Sequence, residues 1–283
     1  GTAKLEIFNI GNPTNPILVG NYDIDGNARR VTISGNYAYV ANNDGLVVLN
    51  VEDPSNTTLV GSYDTVGNAW DVTTSGNYAY VADRDYGLII LNIDDPSNIT
   101  LVGSYETQGQ VRGVTISGNY AYIADYYKGL FILDIENPSN VTLIGSYDDS
   151  GNAQDVTILG NYAYIADEYD GLVILNITNL SNPTLVGSYD VIEGSTQDIT
   201  ISGNYAYLAN THRLILLNIT DPANPTLEGS YDDIDNVQDV TISGDYAYLA
   251  DWGHGLKILE FAYTPLAVID SIYPSPARFD DEI

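Results

Sequence analysis

The sequence predicts an all-β fold made of repeated four-stranded antiparallel units. Three observations predict it. The tetrapeptide Asn-Tyr-Ala-Tyr recurs with its first tyrosine at Tyr37, Tyr78, Tyr120, Tyr162, Tyr205 and Tyr246, Asp245 replacing the Asn in the last copy. The gaps are 41, 42, 42, 43 and 41 residues, and a fixed period of this length marks an array of like supersecondary units. Within each period lie four short runs rich in β-branched and aromatic residues, bounded by clusters of Gly, Pro, Asn and Asp. No segment carries the 3.6-residue apolar period of an amphipathic helix.

Residues 69–109 serve as the type unit. Residues 71–75 read Asp-Val-Thr-Thr-Ser and form strand a; Gly76-Asn77 turns the chain; residues 78–82, Tyr-Ala-Tyr-Val-Ala, form strand b. A variable loop, Asp83-Arg84-Asp85-Tyr86-Gly87, precedes strand c at residues 88–93. A second turn, Asp94-Asp95-Pro96-Ser97-Asn98, leads to strand d at residues 101–105. Runs a, b and c are apolar on both sides of the pleat, as in strands sandwiched between neighbours. Four such strands in about 42 residues make one blade of a β-propeller, and a ring of blades protects its sheet edges. Strand a is placed innermost. Of the 24 tyrosines, 12 lie in the strand b motif, where the two rings of a pair share a face and pack against the next blade.

Composition narrows the function. There are 38 acidic and nine basic residues, a net charge of −29. Nucleic acid and anionic lipid both need Lys and Arg for counterion release, so neither is an expected partner. Cationic ligands, divalent ions and a salty or extracellular setting suit the charge. A hydrophobic content of 44% supplies a core. Cysteine is absent, which removes disulfides and thiolate chemistry. No apolar run reaches the roughly 18 residues of a membrane span, so direct membrane insertion is not expected. Sequons for N-glycosylation stand at Asn56, Asn98, Asn140, Asn176, Asn179 and Asn218, in or beside the c–d turns.

The phrase Gly87-Leu88-Ile89-Ile90-Leu91-Asn92-Ile93, then Pro96-Ser97-Asn98 and Leu101-Val102-Gly103-Ser104-Tyr105, recurs through nearly the whole chain and resembles the LVIVD repeat family. The resemblance implies a bacterial or archaeal cell-surface protein with a β-propeller fold, and it brings no catalytic residues with it. Such repeats often accompany PKD-type immunoglobulin-like modules. Residues 265–277 look like the opening strand of one, giving an expected division into a propeller at 1–263 and a linker or following module at 264–283.

Strands a and b occur six times, but strand c occurs seven times, since residues 5–10 match it and residues 17–22 then match strand d. Six blades are the simpler closure, with residues 17–22 completing the last blade and residues 5–10 left over, free to pack peripherally or to add to a neighbouring molecule. A seven-blade ring with one a–b pair supplied from elsewhere is the rival.

Antiparallel order puts the d–a and b–c loops on one face. The opposite loops are uniform, and the loops of this face vary. Both Trp, both His and six of nine basic residues lie on it: Arg29, Arg30, Arg84, Arg112, Lys128 and Arg213. Concentrating rare side chains on one loop face is how a rigid scaffold presents a site. At the start of strand a the pairs are Arg29-Arg30, Trp70-Asp71, Arg112-Gly113, Gln154-Asp155, Gln197-Asp198 and Gln238-Asp239. The repeated aspartates are expected to accept hydrogen bonds from the backbone of the neighbouring loop. The breaks in the pattern, including Gly113, are candidate ligand contacts. With Tyr126, Tyr127, His212, Arg213, Trp252 and His254 of the b–c loops, Arg29, Arg30, Trp70 and Arg112 form the candidate binding set, suited to a sugar carboxylate or to an acidic or aromatic side chain.

Asp23, Asp25 and Asn27 alternate around Gly26 and form a candidate calcium loop, without the full twelve-residue ligand pattern. Otherwise no cofactor is expected. No HExxH, GxSxG, P-loop or dinucleotide fingerprint occurs. Carboxylates repeat with the scaffold, whereas a catalytic pair should be unique. The expected function is therefore non-catalytic recognition or adhesion at the cell surface, towards glycan or protein. The alternatives are a structural subunit of a surface layer, sheath or filament, self-associating through the N-terminal strand, and a glycan-processing enzyme.

Overall fold

The computed structural model describes residues 2–148, 151–252 and 254–261; the expected module at 264–283 lies outside them. The fold is all-β, a propeller of six antiparallel blades preceded by a partial sheet. The partial sheet pairs β1 (Thr2–Asn9) with β2 (Ile17–Asp25). Blade one holds β3 (Ala28–Ser34), β4 (Tyr37–Asn42), β5 (Gly45–Asn50) and β6 (Thr58–Asp64). Blade two holds β7 (Ala69–Ser75), β8 (Tyr78–Asp83), β9 (Gly87–Asn92) and β10 (Thr100–Tyr105). Blade three holds β11 (Val111–Ser117), β12 (Tyr120–Asp125), β13 (Gly129–Asp134) and β14 (Thr142–Tyr147). Blade four holds β15 (Ala153–Leu159), β16 (Tyr162–Asp167), β17 (Gly171–Asn176) and β18 (Thr184–Tyr189). Blade five holds β19 (Thr196–Ser202), β20 (Tyr205–Asn210), β21 (Arg213–Asn218) and β22 (Thr226–Tyr231). Blade six has β23 (Val237–Ser243), β24 (Tyr246–Asp251) and β25 (Gly255–Glu260), and no fourth strand among the described residues.

The strand pairing corrects one expectation. Residues 17–22 do not complete the last blade, and residues 5–10 are not left over. β2 pairs with β1, in a two-stranded sheet of its own. The physical reason is local: Leu5 and Tyr22 pack on Ile24, Ala38, Val40 and Leu49, so the pair already has an apolar partner in blade one.

Two compact units are distinguished along the chain. The first takes in residues 1–7, 19–165 and 175–185. In it, the tyrosine and aliphatic face of one blade packs on the next: Tyr39, Leu46 and Val48 of blade one meet Val72, Val81 and Leu91 of blade two. Burial pushes the hydroxyls of Tyr39, Tyr80, Tyr122 and Tyr164 to higher pKa, with the partner tyrosine of each motif adding to the rise. The second unit takes in residues 8–18, 166–174 and 186–283, and repeats the pattern with Tyr207, Leu214 and Leu216 against Val237, Val240 and Leu249.

The uniform sequence of strand d follows from close packing. A Cβ on Gly103 would overlap the Pro138 carbonyl of the next c–d turn. Gly20, Gly61, Gly145 and Gly187 meet the next turn in the same way. Each turn is held by an Asp or Asn side chain two residues before its Ser or Ala, as where Asp95 Oδ1 accepts from Ser97 N at 3.0 Å and from Ser97 Oγ at 2.7 Å. Because Gly20 obeys the rule, β1 and β2 stand where the outer strands of a blade before blade one would stand. They supply no inner strands. Val31 and Ile33 on β3 are therefore 48% and 61% exposed, whereas the equivalent Val72 is 4% exposed.

Candidate functional site

The site begins with a backbone irregularity. In the pairing of β3 with β4 the register shifts between Ala28 and Arg30; for β7 with β8 it shifts between Ala69 and Asp71, and for β11 with β12 between Val111 and Gly113. Arg29, Trp70 and Arg112 are thus the extra residue of a β-bulge, left out of the ladder. A bulge re-aims its side chain away from the regular pleat. The same bulge recurs at Gln197 and Gln238.

In blades one to three the bulged side chains meet. The Arg29 guanidinium carbon lies 4.3 Å from the Trp70 ring centroid, and that of Arg112 lies 4.4 Å from it. Arg84, from the b–c loop of blade two, approaches the same indole at 5.8 Å. Arg112 also stacks at 3.7 Å on Tyr126 and donates from a terminal nitrogen to Gln154 Oε1 at 2.7 Å. Tyr126 is held by Asn152, whose carboxamide, oriented to satisfy both partners, accepts from the phenol at 3.1 Å and donates to the Tyr126 carbonyl at 3.2 Å. Tyr127 meets Tyr126 edge-on at 4.8 Å and is 54% exposed.

The electrostatics are unusual for so acidic a chain. Among the described residues neither Arg29 nor Arg84 has a carboxylate within ion-pair distance, in contrast to Arg213. Burial lowers the Arg29 pKa, and the charge of Arg84 lowers it further. The Trp70 Nε1–H and the Arg84 Nε–H are buried without a hydrogen-bond acceptor. Unpartnered buried donors are costly, and they mark a place where an acceptor fits.

Asp71 and Asp198 accept backbone hydrogen bonds, from strand a of the next blade rather than from a loop. Asp71 Oδ2 accepts from Val114 N of the next blade at 2.9 Å, and Asp198 Oδ2 accepts from Val240 N at 2.9 Å. At Gly113 a Cβ would sit 2.7 Å from Asp155 Oδ1 and 2.9 Å from Asp155 Cα, so the approach of blade four accounts for the glycine. Arg30 is half-buried and is not one of the guanidinium groups on Trp70.

The other predicted residues stand in the second compact unit. Arg213 is neutralised by Glu193 at 3.0 Å and Asp232 at 3.9 Å. His212 Nδ1 contacts the Asp235 carbonyl at 3.1 Å, and His254 Nδ1 lies 3.3 Å from the Asp235 carboxylate and 3.5 Å from that of Asp251. The two histidines thus share one aspartate. Trp252 is 74% exposed. No group of three or more His, Asp or Glu side chains suited to a metal ion occurs among the described residues. In the candidate calcium loop, Asp23 faces Lys4 at 3.7 Å and the Asp25 carbonyl accepts from Asn42 Nδ2 at 2.9 Å. No helix among the described residues is long and apolar enough to cross a membrane.

Sequence reasoning placed Arg29, Trp70, Arg112 and Tyr126 in one set, and the structure joins them. It missed that Arg84 reaches the same indole, and that Gln154, read only as the ordinary residue of its position, is the partner of Arg112. The bulge at the second residue of strand a was the hidden signal: it gives side chains one period apart a common direction.

Fold and site together define a β-propeller that gathers arginine and aromatic side chains at the bulged ends of its a strands. LVIVD repeats match residues 1–24, 25–65, 66–107, 108–149, 150–191, 193–233 and 235–260, and the chain belongs to the LVIVD-repeat family. No curated protein matches it. Among solved structures it is similar to a functionally unknown protein from Desulfotomaculum acetoxidans, at 12% identity and TM-score 0.76, over 95% of this chain and 92% of that one. The Cps50 (Swd1) β-propeller domain of Myceliophteria thermophila is similar at 15% identity and TM-score 0.68, over 89% and 87%. The computationally designed Ika8 protein is similar at 11% identity and TM-score 0.65, over 83% and 72%. At these identities the likeness is one of fold.

Proposed function

We propose that the chain is a non-catalytic recognition module of a prokaryotic cell-surface protein, binding glycan or protein through the loops around Trp70. One observation carries the reading: three guanidinium groups converge on one indole in a chain of net charge −29 with only nine basic residues. The non-catalytic reading is supported by Asp71 and Asp198, whose carboxylates are committed to backbone N–H groups. A binding screen against a glycan array and surface-protein extracts tests it, with Trp70→Ala and Arg112→Ala as controls. Binding lost in both variants supports the reading, and binding unaffected by both sinks it.

The extracellular setting is supported by the exposed sequon residues Asn56, Asn98, Asn140 and Asn179 on the c–d turns. Asn176 and Asn218 are half-buried, and their side-chain oxygens accept from the backbone N–H two residues on, at 2.8 and 3.0 Å. Intact-mass analysis of protein from its native source should show glycan on the first group ahead of the second. Unmodified asparagines throughout would remove this support.

A second reading, a structural subunit of a surface assembly, is favoured by the exposed apolar side chains of Val31 and Ile33 beside the partial sheet. Light scattering after size exclusion tests it; a monomer at high concentration contradicts it.

A further inference from the structure

We infer that the cluster of Arg29, Arg84 and Trp70 is a binding site for a small carboxylate-bearing saccharide of the uronate class. The inference rests on the recognition reading above and names the ligand chemistry for it. Neither Arg29 nor Arg84 has a carboxylate within ion-pair distance among the described residues, although Asp83 and Asp85 flank Arg84 in the chain, so an anion from outside can take up their donors. Guanidinium is planar and donates two parallel hydrogen bonds to a carboxylate, so it suits a carboxylate better than an ammonium group would. The Trp70 Nε1–H and the Nε–H of the Arg84 guanidinium are buried without acceptors, and both groups belong to the stacked cluster. An anion that draws Arg29 or Arg84 off the indole supplies an acceptor to these groups and bares an aromatic face.

Charge on a larger scale sets the size of the ligand. A polyanion feels the whole field of a chain at −29, whereas a ligand with one carboxylate feels mainly the arginines within a Debye length of about 10 Å. The aromatic rings select its shape. Arg112 contacts both Trp70 and Tyr126, the exposed Tyr127 ring meets Tyr126 edge-on, and aromatic faces of this kind accept the apolar face of a sugar ring while its hydroxyls take the remaining N–H donors. An acidic peptide offers the charge without the ring, and its extended backbone would need partners that a cluster of side chains does not supply.

Calorimetric titration of the whole chain with glucuronate, glucose and triglutamate tests the inference, with Arg29→Gln and Arg84→Gln run beside the wild type. Arg29 is exposed and Arg84 half-buried, neither belongs to a blade core, and an unchanged melting temperature certifies the variants. The expected result is measurable binding of glucuronate, none of glucose, a loss of about tenfold or more in each variant, and weakening as salt rises. Equal binding of glucose and glucuronate overturns the inference, as does binding of triglutamate alone or glucuronate binding indifferent to both variants. Those outcomes leave the recognition reading standing if other glycans bind through Trp70. A chain that binds nothing on the array or in the extracts removes both.

Discussion

The Arg112 guanidinium carbon lies 3.7 Å from the Tyr126 ring centroid, and the two residues come from strand a and the b–c loop of the same blade. The contact couples the bulged end of β11 to the loop that varies most between repeats. It places the arginine between Tyr126 and the Trp70 of the preceding blade. A double-mutant cycle of Arg112→Ala and Tyr126→Ala, read by denaturant unfolding, should give a coupling energy of about 0.5–1 kcal/mol. Strict additivity would mean that the stack contributes nothing.

The hydrogen bond from Val114 N to Asp71 Oδ2 ties blade three to blade two, while Asp71 Oδ1 accepts from Val72 N at 2.7 Å. Both oxygens act as acceptors, so neither Ala nor Asn replaces them. Asp71→Ala and Asp71→Asn should each cost about 1–3 kcal/mol, because a buried N–H is left unpaired. An unchanged unfolding midpoint in either variant would show that the aspartate is not a blade-to-blade tie.

Asp83 ends strand b fully buried, and burial raises its carboxyl pKa against the pull of backbone N–H donors from Asp85 and Tyr86. In the unfolded chain the value returns to about 3.9. The folded chain therefore holds the proton more tightly. Stability from this group is fullest in acid and is lost as pH rises from the unfolded value through the raised folded one. Asn42 and Asn210 fill the equivalent positions and are buried too. Asp83→Asn should flatten this part of the stability profile and leave the chain more stable at neutral pH. A variant less stable than wild type at neutral pH, with the slope intact, contradicts the account.

Val31 and Val72 occupy the same position of strand a in blades one and two, yet one is exposed and the other buried. Val72→Asp places a charge between blades and should cost more than about 4 kcal/mol. Val31→Asp should change stability by about 0.5 kcal/mol. Comparable losses in thermal unfolding of the two variants would mean that β3 is covered in solution.

Much of this was legible in the chain. The period, the four strands of each blade and the pairing of a, b, c and d follow from turn residues and from short β-rich runs repeated at a fixed spacing, which are local. The grouping of Arg29, Trp70, Arg112 and Tyr126 followed from aligning the copies and asking which broke the pattern. What escaped the sequence depends on geometry between copies. Gly113 reads as a break in the aspartate pattern, and the approach of Asp155, which leaves no room for a Cβ, is visible only in the structure. Arg84 reads as a loop residue, because its reach to Trp70 depends on where the bulge aims the indole. The partial sheet was misassigned because residues 17–22 match strand d equally well for any blade; the apolar contacts of Leu5 and Tyr22 decide which neighbour they join.

The central claim is that the chain recognises its ligand at the arginine cluster on Trp70. Binding of the wild type and of Trp70→Ala to the same immobilised glycan array tests it most directly. The account predicts binding to carboxylate-bearing glycans that disappears in Trp70→Ala while the melting temperature holds. Equal binding by the two proteins would contradict it.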